Sequence, residues 1–353
     1  MSGKVFIENL TSALEKLSET MDVWVPAASG ENGWGVEFQP YRPGMTPILD
    51  RQSTILPKKV VFPQVEALLR FEYKKDPENP AKARIELDDE PRVKPALVFG
   101  ARPCDVKGFA VFDQVFKNGP YQDGYYEKRR ENTLFATLVC REGDSACFCS
   151  SVGSGPADMD GSDFRLTPVE GGFVIEDLSE RAAPLMDRFG APATDGQATA
   201  AQKVQDEAAA QQIGDLDIEG CVEAFKGRFT DLDFWREQVG QCLSCGICTY
   251  SCPTCYCFTI TDETKGLKGE RLRSWDSCMF NHYTQEASGH NPRPTKLERY
   301  RNRVGHKFSY FPERYNGEIA CCGCGRCIRS CPSSIDIRKV VKSLKEKKSD
   351  ACA

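Results

Sequence analysis

Several things are scarce in this chain of 353 residues, and each scarcity narrows what it does. The formal net charge is -5, with no basic surplus, so nucleic-acid binding is not expected, because such proteins carry excess Lys and Arg to neutralise phosphates. No stretch approaches the ~18 consecutive apolar residues of a membrane helix, and membrane insertion is not expected. The opening residues, MSGKVFIENLTSALEKL, lack the basic and apolar regions of a secretory signal, which points to the cytoplasm. No evident nucleophile or paired-carboxylate signature is present. The glycine-rich stretch CREGDSACFCSSVGSGP lacks the G-x-G-x-x-G order and a following helix, so it is a weak match to a phosphate cradle.

What is abundant is cysteine, at eighteen residues. A cytoplasmic chain long enough to build its own core does not need disulfides and rarely keeps them, so metal ligation is the expected use. Cys242, Cys245, Cys248 and Cys252, followed by Pro253, fit C-x2-C-x2-C-x3-C-P. Cys321, Cys324, Cys327 and Cys331, followed by Pro332, fit it again. In two-cluster proteins of this type the fourth cysteine ligates the other cluster. The spacing therefore assigns Cys242, Cys245, Cys248 and Cys331 to one 4Fe-4S cluster, and Cys321, Cys324, Cys327 and Cys252 to a second. Two structural zinc sites are the alternative, but zinc does not require the Cys-Pro ending.

A third set comprises Cys104, Cys140, Cys147 and Cys149. Cys104 follows the apolar run PALVFG and Cys140 ends LFATLVC, so parallel neighbouring strands would bring both to one sheet edge, where open α/β sheets bind ligands. The loop carrying Cys147 and Cys149 can fold around a cluster, and a third iron–sulfur cluster is expected there. Cys255, Cys257, Cys278 and Cys322 are surplus. They can complete another cluster, replace ligands of the third site, or pack as small apolar side chains. His282, His290 and His306 are candidate ligands or hydrogen-bonded structural residues.

The expected fold is α+β. Residues 1–190 alternate helical and strand signals: FIENLTSALEKL has helix spacing, MDVWVPA reads as a strand, and PALVFG, DVKGFAVFDQVF and LFATLVC form a strand, helix, strand unit with parallel strands. DFRLTPVEGGFVIEDL reads as a hairpin turning at Gly171 and Gly172. Residues 191–229 include an Ala/Gln-rich stretch read as a linker or loosely packed helix. Residues 230–353 form a mostly helical, ferredoxin-like two-cluster domain, in which GERLRSWDSCMFNHYTQEASG and KLERYRNRVGHKF look helical. The Arg- and Lys-rich run from His290 to Arg314 is either a solvated helix face, or compensation for anionic clusters or a dock for an acidic partner.

Certain segments then resemble a known family. RPCD (102–105), CFCSSVGSGP (147–156), CPTCYCF (252–258), WDSCMF (275–280), GHNPRPT (289–295), HKFSYFPERY (306–315) and CGCGRCIRSCP (322–332) are similar to the beta subunit of sulfhydrogenases and to the 4Fe-4S dicluster electron-transfer subunit of anaerobic sulfite reductase. The resemblance runs from about Leu56 to Ile337. It implies a non-catalytic electron-transfer subunit of a cytoplasmic oxidoreductase complex of anaerobic metabolism. Its partners would be a flavin subunit handling NAD(P)H and a catalytic hydrogenase, sulfite reductase or heterodisulfide reductase-like subunit. Two rival readings stand beside it: a reductase with substrate on an open-coordination cluster in the first domain, and a zinc-binding interaction module.

Overall fold

The computed structural model describes residues 3–30, 35–79 and 81–346. Its strands are β1 (Lys4–Ile7), β2 (Asp22–Ser29), β3 (Gly35–Pro40), β4 (Val65–Lys75), β5 (Ala83–Asp88), β6 (Ala96–Ala101), β7 (Thr133–Leu138), β8 (Phe164–Val169), β9 (Gly172–Asp177), β10 (Ala191–Pro192), β11 (Phe258–Lys265) and β12 (Lys268–Trp275). Helices accompany both halves, and the fold is α+β. An eight-stranded sheet runs in the order β10-β1-β9-β8-β7-β6-β2-β3. Its middle strands β2, β6, β7 and β8 are parallel, and every residue of β6 is buried, as expected of a continuous apolar run covered on both faces.

Between β6 and β7 runs the helix Pro103–Phe116, whose Phe109, Phe112 and Phe116 are buried on its core side. Asp105 starts it by accepting a hydrogen bond from the Arg102 backbone N–H at 2.9 Å. β8 and β9 form the expected hairpin, turning through Gly171 at φ +79°. The Ala/Gln-rich stretch contributes the helix Asp195–Ala209, begun by a capping box between Thr194 and Gln197. Its buried Gln205 donates to Thr167 and Glu176 and accepts from Arg165, which ties the helix to the sheet.

A second, four-stranded sheet has the order β11-β12-β4-β5, so strands from both halves of the chain share it. Here GERLRSW, whose composition looked helical, is strand β12. The reason lies across the strands: Arg271 pairs with Asp262, Arg70 with Glu270 and Lys268 with Glu72. The first partner lies across the hairpin and the other two about two hundred residues away, and helical spacing reaches none of them. Gly266, at φ +65°, opens the two-residue turn between β11 and β12, and Phe258 pairs with Trp275 at the hairpin base.

The halves also exchange side chains. Phe148 and Val152 sit in a core with Phe225, Trp235, Val304, Phe308 and Val341. Conversely, Tyr256, Phe258 and Trp275 pack against the Phe62, Phe112 and Phe116 core of the first half. Burying a ring of this size stabilises by about 1.5–3 kcal/mol. Gly108 brings the helix Pro103–Phe116 directly against the Cys252-Pro253 turn, where a Cβ would lie 2.5 Å from the Pro253 Cβ and 2.8 Å from its carbonyl oxygen. Gly108→Ala should therefore lower stability by roughly 1–3 kcal/mol through overpacking, despite alanine's better helix propensity. Gly124→Ala, where a Cβ meets nothing within 4 Å, should not. Anaerobic denaturant unfolding of both variants makes the comparison, and equal midpoints would contradict it.

Candidate metal centres

The two cysteine motifs build matching loops. Gly246 (φ +76°) and Gly325 (φ +72°) occupy the same motif position, each just before a helical turn, Ile247–Tyr250 and Arg326–Arg329. A side chain at either glycine would meet both an unfavourable φ and a close neighbour, the Phe280 ring at 2.8 Å or the Ala146 carbonyl oxygen at 2.6 Å. Cys242, Cys245, Cys248 and Cys331 line one cavity, together with Met279 and Tyr300. Backbone N–H groups already point at its sulfurs: Ser244 N donates to Cys242 Sγ at 3.4 Å and Ile335 N to Cys331 Sγ at 3.3 Å. Cys252, Cys321, Cys324 and Cys327 line a second cavity, with Cys322, Arg303 and Lys307. Cys331 lines the first cavity and Cys252 the second. Cys327 lines both cavities.

Part of the basic run faces inward. Arg299, Arg303 and Lys307 recur every four residues and all three are buried. Lys307, in the π-helical turn His306–Tyr310, donates to Cys252 Sγ at 3.3 Å, Thr254 Oγ1 at 2.7 Å and the Ala320 carbonyl at 2.9 Å. Burial works against its charge, but the Cys252 and Cys255 thiolates outweigh that and hold its pKa well above the ordinary lysine value. Arg303 donates through Nη2 to the Cys248 carbonyl at 2.9 Å, while its buried Nε and Nη1 have no hydrogen-bond partner among the described residues. A buried guanidinium with free N–H groups on a cysteine-lined cavity fits an anionic group held there.

Cys104, Cys140, Cys147 and Cys149 line a third cavity of about 660 Å³ at the C-terminal ends of β6 and β7. Its wall includes the exposed Arg51, Arg141 and Glu142, so it opens to solvent. Gln52 Nε2 donates to Cys104 Sγ at 3.1 Å. Arg329 gathers the surrounding loops, pairing with Asp144 at 2.6 Å and donating to the Cys324 carbonyl at 2.7 Å. Sequence reasoning missed that this site is joined to the second motif. Cys104 packs on Cys322 and Cys324, and Cys324 lines both the second and third cavities. Phe148 N donates to the Gly323 carbonyl at 2.8 Å. The available signal was the positively charged Arg326 inside one motif and the Asp105 next to Cys104. Arg326 Nη2 lies 2.7 Å from Asp105 Oδ1, with both side chains 1% exposed, and its Nε and Nη2 also donate to Ser53.

None of the three histidines is among the residues lining these cavities. His306 Nε2 is 2.8 Å from the Tyr256 hydroxyl, and burial together with Lys307 pushes its pKa down to about 4. His282 lies 3.4 Å from Asp276. Zinc would need its ligands about 2–2.3 Å from one centre. Among the described residues no three His, Cys, Asp or Glu side chains are grouped to hold a single metal ion.

A family model described as a 4Fe-4S dicluster domain matches residues 241–335. The chain is 31% identical over 303 residues to sulfhydrogenase 2 subunit beta of Pyrococcus furiosus, covering 84% of this chain and 85% of that protein. No solved structure matches it. No helix among the described residues is long and apolar enough to cross a membrane.

The Asp105–Arg326 pair holds Cys104 against the second motif from within the protein interior. Arg326→Met should lower the stability by about 3–5 kcal/mol, because it strands a buried carboxylate. Adding Asp105→Leu should recover part of that loss. Anaerobic unfolding midpoints of the single and double variants measure both effects, and an unchanged single-variant midpoint would show that the pair does not hold the seam.

Proposed function

The chain belongs to the sulfhydrogenase beta-subunit family, and from that premise we propose that it is the electron-relay subunit of a larger cytoplasmic oxidoreductase, with three 4Fe-4S clusters in line. The first would be held by Cys242, Cys245, Cys248 and Cys331, the second by Cys252, Cys321, Cys324 and Cys327, and the third by Cys104, Cys140, Cys147 and Cys149. Each cluster supplies a one-electron acceptor and donor when bound.

The observation that carries this reading is the sharing of cysteines: Cys327 lines the first and second cavities, and Cys324 the second and third. The second cavity is interior, whereas both ends of the series reach the surface. Cys245 is exposed at the first, beside Leu243 and Ile247, and Arg51 and Arg141 are exposed at the third. Two surfaces joined through a buried middle are what a relay between two partners requires. We assign those partners as a flavin subunit handling NAD(P)H and a catalytic hydrogenase, sulfite reductase or heterodisulfide reductase-like subunit. A reductase with an open cluster position would need a missing ligand, but Cys104, Cys140, Cys147 and Cys149 all line the third cavity, with Cys324 as a fifth.

In this arrangement Lys307 and Arg303 offset the negative charge of the middle cluster, and a nearby buried cation raises its potential by favouring the reduced form. Thiolate-directed N–H groups such as those of Ser244 and Ile335 act in the same direction.

Anaerobically prepared protein should hold about twelve iron and twelve acid-labile sulfide per chain, and a value near eight would remove the third cluster. In redox-titrated spectra, Cys252→Ala should disturb the same transition as Cys321→Ala, while Cys331→Ala should disturb the one affected by Cys242→Ala. The crossed assignment fails if Cys252→Ala instead groups with Cys242→Ala.

A further inference from the structure

The four-stranded sheet ends at β5, and among the described residues no strand pairs with its outer side. Edge strands are ordinarily blunted by proline, by bulges or by charges that repel a further strand. β5 has neither proline nor bulge: Ala83–Asp88 pairs with β4 residue for residue, without a register shift. Its side chains alternate between the two faces of the sheet. Ala83, Ile85 and Leu87 share a face with Phe71 and Tyr73 of β4, and Ile85 and Leu87 are 52% and 65% exposed there. Arg84, Glu86 and Asp88 occupy the other face.

These charges suit poorly the strand that β5 already has beside it. Directly opposite residues share a face, and like charges meet at two positions: Glu86 stands opposite Glu72, and Arg84 opposite Lys74. Only Asp88 has its opposite across from it, Arg70. Relief comes diagonally from Lys74, 2.6 Å from Glu86, and along the strand from Arg84, 2.8 Å from Glu86. A second β5 fits the same charges directly. KARIELD, residues 82–88, is basic before Ile85 and acidic after it at matching steps. Antiparallel pairing about a two-fold axis at Ile85 keeps every side chain on its own face, as the pleat requires. It sets Arg84 of one copy opposite Glu86 of the other, and Lys82 opposite Asp88, each twice. Ile85 then meets Ile85, Leu87 meets Ala83, and no like charges face each other. The other edge of this sheet, β11, has no such symmetry: its acids Asp262 and Glu263 adjoin, and its one base, Lys265, ends the strand.

We propose that β5 is the docking edge for a second copy of this chain, the two β5 strands pairing antiparallel about Ile85 and joining the two four-stranded sheets into one. The main chain supplies the hydrogen bonds of strand addition, and the charge pairs with the central Ile85 fix the register. Tyr73 and Ile85 of each copy then form one apolar row across the axis. No residue of β5 lines the three cysteine-lined cavities, so the pairing does not depend on which clusters fill them.

The test is anaerobic sedimentation velocity of the full-length, cluster-loaded protein over a concentration series. The wild type should show a species of twice the single-chain mass that dissociates on dilution. Ile85→Asp sets two carboxylates against each other at the axis, and Arg84→Glu turns both Arg84–Glu86 contacts into like charges. Each variant should sediment as a single chain while keeping the iron content of the wild type. Combining Arg84→Glu with Glu86→Arg restores opposite charges between the copies and also gives Lys74 and Glu72 opposite charges across β4, so the dimer should return. A wild type that stays a single chain at every concentration would overturn the proposal. A dimer that survives Ile85→Asp would place the interface elsewhere, and a double variant that fails to dimerise would contradict the register.

Discussion

The structure depends most on one buried contact, Lys307 Nζ at 3.3 Å from Cys252 Sγ. A lysine ammonium in the interior is tolerable only where negative charge and acceptors surround it, and a thiolate there equally needs a cation. The π-helical turn His306–Tyr310 sits between the helices Lys296–Gly305 and Phe311–Arg314 and presents Lys307 to the cysteines. π-turns recur at functional sites, where they break regular helix geometry to re-aim a side chain. The same lysine also binds Thr254 and the Ala320 carbonyl, so it ties the end of one cysteine motif to the start of the other.

Around that contact the protein is layered by charge. Arg303 lies between the first two cavities, bound to the Cys248 carbonyl and facing the Cys248 and Cys327 thiolates. Arg326 and Asp105 neutralise each other where the second site meets the third. Lys58 is also buried, with its ammonium 3.9 Å over the Trp275 ring and bonded to the Cys252 and Cys255 carbonyls. Unlike Lys307 it loses more to burial than it gains from the nearby thiolates, and its pKa falls. Both lysines are attracted by Cys252 and Cys255, and Lys58 is in addition repelled by Lys307.

Much of this was legible from the residues alone. Spacing grouped the cysteines of the first two cavities, and the apolar run PALVFG followed by Arg-Pro-Cys-Asp placed Cys104 at the edge of a parallel sheet. The basic run was legible only as a pattern: Arg299, Arg303 and Lys307 keep a four-residue step, and Tyr300, Val304 and Phe308 follow each by one residue. The stripes alone left open whether the basic one was solvated or inward, because Lys and Arg beside an apolar stripe can reach back to water; burial of Arg299, Arg303 and Lys307 decides it. What the residues did not disclose depends on partners far away in sequence. Strand β12 is held by β4, about two hundred residues earlier, in register pairs such as Arg271 with Leu69. The Ala/Gln-rich helix is fixed by buried Ala201 and Ala208 and by the hydrogen bonds of Gln205. The contact of Cys104 with Cys322 and Cys324 follows from the docking of a loop, which no local pattern records.

The central claim is that three clusters lie in line with the second in the middle, and magnetic coupling tests it most directly. Neighbouring reduced clusters broaden and split each other's electron paramagnetic resonance signals. Fully reduced wild-type protein should show an interaction spectrum, and Cys252→Ala, which removes a ligand of the middle cluster only, should leave two simple, uncoupled signals from the end clusters. Persistence of the full interaction spectrum in a Cys252→Ala variant shown to have lost that cluster's iron would contradict the linear order.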